Sequence, residues 1–274
     1  MSSRPLPQSN PKSQNRSTPS AEFRSGIMGF LPRPSFAQAS LAITLFATII
    51  GTYKAVVPPH ANNTAAPPPL ETGDFLLRSR LASQHGTKIL LAPLAFLALH
   101  TFLLILYYPT IPKFLLRHNY GEVNKLNPRL ITWSPATVIP LAIALFIGIP
   151  LRLVPYAELG KNFTFALAQP DRLVTTGIYK FIQHPSYTGV VTLQVSLAVL
   201  LCRMDGVLSC WVSSRRWYNT SWRAELMAFP IMLGGLLFVL SKRVEEEEAM
   251  LRGEFGKEWE RWHAATARFI PWVW

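Results

Sequence analysis

Five stretches of this chain carry no Asp, Glu, Lys or Arg for 16 to 24 residues at a time: 34–53, 89–112, 130–151, 181–202 and 226–241. Crossing about 30 Å of hydrocarbon at about 1.5 Å per residue takes about 20 residues in a helix. A water-soluble helix of that length needs a polar face, and none of these runs offers one. The five runs therefore read as membrane spans, and the shortest, 226–241, leans on the flanking Glu225 and Lys242 stems. Aromatic and basic residues stand at several of their ends: Tyr53 with Lys54, Tyr107 and Tyr108 before Lys113, and Trp133 after Arg129. That is the interfacial belt of a spanning helix. The expected fold class is all-α, a multi-span integral membrane helical bundle of about five transmembrane helices with a C-terminal amphipathic helix.

Composition agrees. Hydrophobic residues make up 49% of the 274 and charged residues only 15%, which excludes disorder of the whole chain. The two cysteines, Cys202 and Cys210, are too few for a disulfide-stapled scaffold, and with the six histidines they form no metal-ligand spacing, so no metal is expected. The net charge of +12 is spread between the apolar runs and not gathered on one element, which favours anionic lipid headgroups over nucleic acid as the counter-charge. No Gly-x-Gly occurs, so a Rossmann fingerprint is excluded and any nucleotide-like cofactor must be held by helices and their connections.

Residues 1–33 are rich in Ser, Pro, Asn and Arg with Glu22 as their only acid, and are expected to be a disordered basic tail. The Arg-rich, acid-poor character also suits a transit peptide, although its prolines oppose the amphipathic helix that this needs. The linker 57–88 carries Pro58, Pro59 and Pro67 to Pro69 and should be extended or irregular at the membrane surface. The positive-inside count does not orient the bundle: a cytosolic N-terminus gathers 13 Lys and Arg on that side, the reverse 14. Past the last span, Val244, Leu251, Phe255, Trp259 and Trp262 put one apolar stripe on a helix, Glu248 and Arg252 are spaced for an i to i+4 pair, and Gly253 and Gly256 mark a bend.

Two polar groups invite chemistry. His184-Pro185-Ser186-Tyr187 opens the fourth span, with the proline suited to a first helical turn, and places an imidazole at or near membrane depth. Arg243 and Glu247 lie one turn apart just after the fifth span. Alone, the first reads better as a capping or interfacial histidine and the second as a solvated charge run. The short connection 203–223 makes the last two spans an antiparallel hairpin, however, which returns Arg243 and Glu247 to the membrane surface that holds His184 and Tyr179. His100 lies mid-span as a packing or interhelical hydrogen-bonding residue.

The run Leu173-Val174-Thr175-Thr176-Gly177-Ile178-Tyr179, then His184-Pro185-Ser186-Tyr187-Thr188-Gly189, resembles the isoprenylcysteine carboxyl methyltransferase family. Arg243, Glu247-Glu248, Leu251, Phe255-Gly256 and Arg268-Phe269-Ile270-Pro271 follow in the family's order, so the likeness covers about 160–271. The resemblance implies an enzyme of the endoplasmic reticulum membrane that moves a methyl group from S-adenosyl-L-methionine to the carboxylate of a prenylated C-terminal cysteine. It implies cofactor contacts from Asp171, Arg172, Leu173, Val174, Tyr179, His184, Pro185, Ser186, Tyr187 and Glu247, with Arg243 as the catalytic, substrate-facing residue. Two departures stand out: Gln183 precedes the His-Pro pair where most members have Arg, and Asp171 stands where a His is frequent. The domain division expected is then the tail 1–33, membrane spans 34–151 and a methyltransferase core 152–274. Cofactor supply places the C-terminus in the cytosol, so five spans put the N-terminus in the lumen, with Asn219-Thr220-Ser221 on the lumenal side.

Relatives of the family that methylate phospholipid amines, and sterol reductases, share the His-Pro and Glu-Glu elements. A phospholipid N-methyltransferase is the nearest rival, but an amine nucleophile must lose a proton and wants an acceptor more than an arginine. A non-catalytic membrane scaffold is the rival outside enzymes, with Gln183 as a mark of decay.

Overall fold

The computed structural model describes residues 32–57, 84–116, 126–163, 169–211 and 215–271. Residues 1–31 of the expected disordered tail, the transit-peptide reading and residues 58–83 of the proline linker fall outside these residues, while 84–88, expected to be irregular, already belong to a helix. Helix α1 spans Phe36–Val56, α2 Gln84–Tyr107, α3 Pro135–Ile143, α4 Ile149–Leu159, α5 Pro185–Leu201, α6 Arg215–Phe255 and α7 Lys257–Ala265. Among the described residues there is no strand, only an isolated parallel bridge between Ile182 and Ala267.

Four stretches are long and apolar enough to cross a membrane: Phe36–Val56, Gly86–Tyr107, Pro128–Leu159 and Leu226–Phe255. The fourth expected span is shorter than anticipated, an apolar helix over Pro185–Leu201. Its start is delayed because residues 181–184 are drawn into pairing with the C-terminal segment, and Pro185 then opens the helix where a missing N–H costs nothing.

Helix α1 begins with a capping box, Ser35 Oγ accepting from the Gln38 N–H at 3.3 Å and Gln38 Oε1 from the Ser35 N–H at 2.8 Å. The Gln38 amide also donates to the carbonyls of Ile105, at 2.9 Å, and Tyr108, which stitches this end to the last turn of α2. Thr44, Thr48 and Thr52 return their hydroxyls to carbonyls one turn back, each at 2.8 Å, so these polar groups are satisfied inside the helix as an apolar medium demands. Leu41, Leu45, Leu104, Ile105, Leu197 and Leu201 are buried together between α1, α2 and α5. His100 sits at that level; Trp211 Nε1 donates to its Nδ1 at 2.9 Å, so its Nε2 donates to the Leu115 carbonyl at 2.9 Å. Both partners lie on the connecting segments that follow α2 and α5, so His100 ties its helix to turns and not to a neighbouring span, and it also packs edge-on against Trp211.

Helices α3 and α4 are joined by one π-turn, Ala144–Gly148. Pro150 has no N–H to give the carbonyl four residues back, and widening the ladder locally lets the helix continue past it. The turn also sets Gly148 against Leu193 of α5, where an added Cβ would come within 2.8 Å of the leucine side chain. At Gly189 the neighbour is backbone instead of side chain, its missing Cβ lying 3.0 to 3.1 Å from backbone atoms of Leu151, Arg152 and Gly148. Small residues at a helix crossing allow this approach in lipid, where dispersion contacts take over from the hydrophobic effect.

Helix α6 runs antiparallel to α5, as Tyr187 meets Glu247 and Gln194 meets Met232. Leu226, Met227, Ile231, Met232, Leu237 and Phe238 are exposed along it, a lipid-facing surface for a helix in a bilayer. The apolar stripe expected past the span is present, with Val244 and Trp259 buried, but it is divided between two helices. Gly256, at φ +50°, ends α6 and turns the chain into α7. Glu248 and Arg252 do not form the expected pair: Arg252 binds Glu260 of α7 at 3.0 Å, and Glu248 turns inward to other partners.

Candidate functional site

The hairpin of α5 and α6 brings the two polar groups of the sequence together. His184, at the N-terminus of α5, is 4% exposed. Its Nε2 lies 3.1 Å from Glu248 Oε1 and its Nδ1 3.7 Å from Glu247 Oε2. The Tyr187 hydroxyl donates to Glu247 Oε2 at 2.8 Å, and Arg243, one turn earlier on α6 and 6% exposed, also hydrogen-bonds Tyr187. A buried guanidinium, a phenol, an imidazole and two carboxylates therefore meet at one end of the hairpin, with the Glu247 side chain still 32% exposed.

Tyr179 is held beside them by the turn Gly177–Lys180. Both carboxylate oxygens of Glu158 accept from the Ile178 N–H at 3.1 Å, and Gly177 makes room for them: its φ is +60°, and a Cβ would lie 2.0 Å from Glu158 Oε1. Burial, with the negative charges of Glu247 and Glu158 adding, drives the Tyr179 phenol far above its ordinary pKa, so it stays protonated throughout the physiological range. Beneath Ser186 lies a residue that sequence reasoning missed. Arg152 of α4 is 7% exposed, donates from Nη1 to Ser186 Oγ and from Nε to the Ala55 carbonyl at 2.9 Å, and stands over the Tyr156 ring. Tyr156 also donates to Ala55, at 2.6 Å, so α1 ends on two donors of α4. An arginine at the end of a spanning run was the available signal.

Of the residues expected at the site, Tyr179, His184, Pro185, Ser186, Tyr187, Arg243 and Glu247 form this cluster. Asp171, Arg172, Leu173 and Val174 lie on the connecting stretch before Tyr179. Asp171 accepts from the Asn162 amide, Arg172 is exposed, and Leu173 and Val174 are half-buried. Gln169 ties this stretch to Glu254 at 3.2 Å. Glu254 is seven residues beyond Glu247, about two turns along the same face of α6, so the stretch is anchored about 10 Å farther along that face.

Gln183, the departure from the family pattern, is buried and saturated. Its Nε2 donates to the carbonyls of His263, at 3.0 Å, and Thr266, at 2.8 Å, with Thr266 Oγ1 at 2.9 Å, and its Oε1 accepts from His263 Nδ1 at 2.8 Å. It thereby satisfies orphan carbonyls at the C-terminus of α7. Gln183→Ala leaves several buried polar groups without partners, a cost of about 1–3 kcal/mol. The thermal midpoint of the detergent-solubilised protein should fall by several degrees, and an unchanged midpoint would refute this.

Residues 140–225 match the Isoprenylcysteine carboxyl methyltransferase (ICMT) family. Similar curated proteins carry a related name. A probable protein-S-isoprenylcysteine O-methyltransferase from Oryza sativa subsp. japonica is 24% identical over 135 residues, 48% of this chain and 59% of the relative. The protein-S-isoprenylcysteine O-methyltransferase of Xenopus laevis is 27% identical over 147 residues, 52% of this chain and 42% of the relative. That of Dictyostelium discoideum is 28% identical over 134 residues, 47% of each chain. The chain thus spans about half the length of the curated relatives it matches. The ICMT match ends before Arg243, Glu247 and Glu248, so the α6 half of the cluster stands on geometry and on the sequence resemblance.

Proposed function

We propose that this protein methylates the C-terminal carboxylate of prenylated cysteine in proteins, using S-adenosyl-L-methionine. The carrying observation is the junction of His184 and Tyr187 with Arg243 and Glu247 at the end of a hairpin in a membrane bundle. The donor set suits the cofactor. Glu247 offers a partly exposed carboxylate to a cationic amino or hydroxyl-bearing group, and the rings of Tyr187 and Phe269 lie 5.7 and 5.8 Å from that of His184, aromatic surface of the kind that attracts a sulfonium cation. Tyr179, His184, Pro185, Ser186, Tyr187 and Glu247 would hold it, with Asp171 to Val174 at its outer edge. When bound, S-adenosyl-L-methionine supplies an electrophilic methyl group.

The remaining work falls to binding and orientation. A terminal carboxyl with a pKa of about 3.5 is already ionised at neutral pH, so no general base is needed. Arg243 supplies a planar fork matched to two carboxylate oxygens and fixes their approach, and its burial removes water that would blunt the nucleophile. Correct placement of two reactants is worth up to about 7–11 kcal/mol of barrier. A prenyl chain partitions into lipid at about 0.8 kcal/mol per buried CH₂, which delivers the cysteine to a site at the end of membrane helices. The proposed endoplasmic reticulum location rests on the family resemblance, and the cytosolic site and C-terminus on the supply of cofactor from the cytosol.

The test is labelled S-adenosyl-L-methionine with the protein in liposomes, offered a farnesylcysteine analogue or phosphatidylethanolamine. Label should enter the prenylcysteine as a base-labile ester. Label in the phospholipid would instead establish the N-methyltransferase reading, and no saturable binding of the cofactor would leave a scaffold.

A further inference from the structure

The C-terminal segment after α7 folds back along residues 181–184. Ala267 N–H donates to the Phe181 carbonyl at 3.2 Å, Gln183 N–H to Ala267 at 2.8 Å, and His184 N–H to Arg268 at 2.9 Å. Thr188 of α5 adds a hydroxyl bond to the Phe269 carbonyl at 3.0 Å. Arg268 then reaches across to α6, where its Nε meets Glu248 Oε1 at 2.9 Å and its Nη2 meets Oε2, a two-pronged grip on one carboxylate. Glu248 is the same carboxylate that meets His184 Nε2.

The connections close a ring. Arg268 holds the His184 backbone through its own carbonyl, and holds the His184 side chain through Glu248. A carboxylate gripped by a guanidinium carries no proton and can only accept, so His184 Nε2 must be the donor. In the neutral ring this leaves Nδ1 as an acceptor, 3.7 Å from Glu247 Oε2 and so outside hydrogen-bond reach of that carboxylate, on the side where the site lies.

We propose that Arg268 and Glu248 are positioning residues that hold His184 as the Nε2–H tautomer and turn its Nδ1 lone pair into the site. Neither needs to touch a bound ligand. The acceptor they create is suited to an ammonium or ribose hydroxyl donor, and that last assignment rests on the methyltransferase reading; the tautomer itself does not. The arrangement makes the far C-terminus part of the site: Arg268 lies 84 residues after His184 in sequence yet fixes which of its ring nitrogens faces the ligand.

The test uses the full chain in detergent micelles with ¹⁵N-labelled histidine. Long-range proton–nitrogen correlation, with His184 assigned by its absence in His184→Gln, should show the Nε2–H form. Arg268→Ala and Glu248→Ala should each give a mixture of tautomers. Glu248→Gln, which keeps an acceptor oxygen, and Arg268→Lys, which keeps one prong, should stay closer to the parent and serve where the alanine variants do not fold. Calorimetry should show S-adenosylhomocysteine binding about tenfold weaker in Arg268→Ala, the worth of about one hydrogen bond. A tautomer unchanged in all the variants that fold overturns the proposal, whatever their thermal midpoints. A parent protein with the expected tautomer but no binding of S-adenosylhomocysteine sinks the methyltransferase reading and leaves the clamp standing.

Discussion

Arg243→Ala should reduce transfer of methyl label to a farnesylcysteine analogue by about 10²–10³-fold or more, the range seen when one preorganised donor is removed from a reacting centre. S-adenosylhomocysteine affinity should change by less than about threefold. The asymmetry follows from the proposed roles. Arg243 and Glu247 both meet Tyr187, but the guanidinium is assigned to the substrate carboxylate, whereas the aromatic and carboxylate groups assigned to the cofactor are His184, Tyr187 and Glu247. Arg243→Lys retains the charge but presents a point donor instead of a planar fork, and should recover only part of the loss. Equal losses of turnover and of cofactor-analogue affinity in Arg243→Ala would show that the guanidinium supports the cofactor and not the carboxylate.

A graded series at Gly189 should show the second large effect. The atoms that a Cβ would meet there, at 3.0 to 3.1 Å, are backbone atoms of α4 and its preceding π-turn, which have no rotamer with which to yield. Gly189→Ala must therefore part α4 from α5 and should cost about 1–3 kcal/mol, with Gly189→Leu costing more. The same parting draws Ser186 from Arg152, so the Michaelis constant for S-adenosyl-L-methionine should rise along the series while the thermal midpoint falls. If Gly189→Leu keeps the parent's midpoint, the close crossing is not what holds these helices together.

Much of the architecture was legible because lipid imposes a simple rule: a run without charge and about 20 residues long has to be a helix. The hairpin argument joined His184 to Arg243 and Glu247 for the same reason, since a short connection between two spans leaves their outer ends little choice. Gly256 was readable as a bend because it interrupts an apolar stripe. What escaped were contacts set by tertiary return of the chain. Glu248 has an attractive partner one turn away in Arg252, and local spacing selects it; the structure gives Glu248 instead to Arg268 and His184, because the C-terminal segment pairs with residues 181–184 and carries its guanidinium inward. Gln183 read as a lost cation, yet its amide has both donor and acceptor duties toward α7 that the residue type alone does not announce. Arg152 went unassigned because charge at the end of a span is common and its link to Ser186 joins elements 34 residues apart.

Helix α6 has 41 residues, a rod of about 60 Å, roughly twice the depth of the hydrocarbon layer. Its lipid-facing length and its Arg243–Glu248 segment are one continuous body, so the height of these side chains above the acyl chains is coupled to how the rod leans. A thicker bilayer draws the rod upright and a thinner one tips it over. Reconstitution in lipids of increasing acyl length should accordingly shift turnover with an optimum, making membrane thickness itself a regulator of the rate.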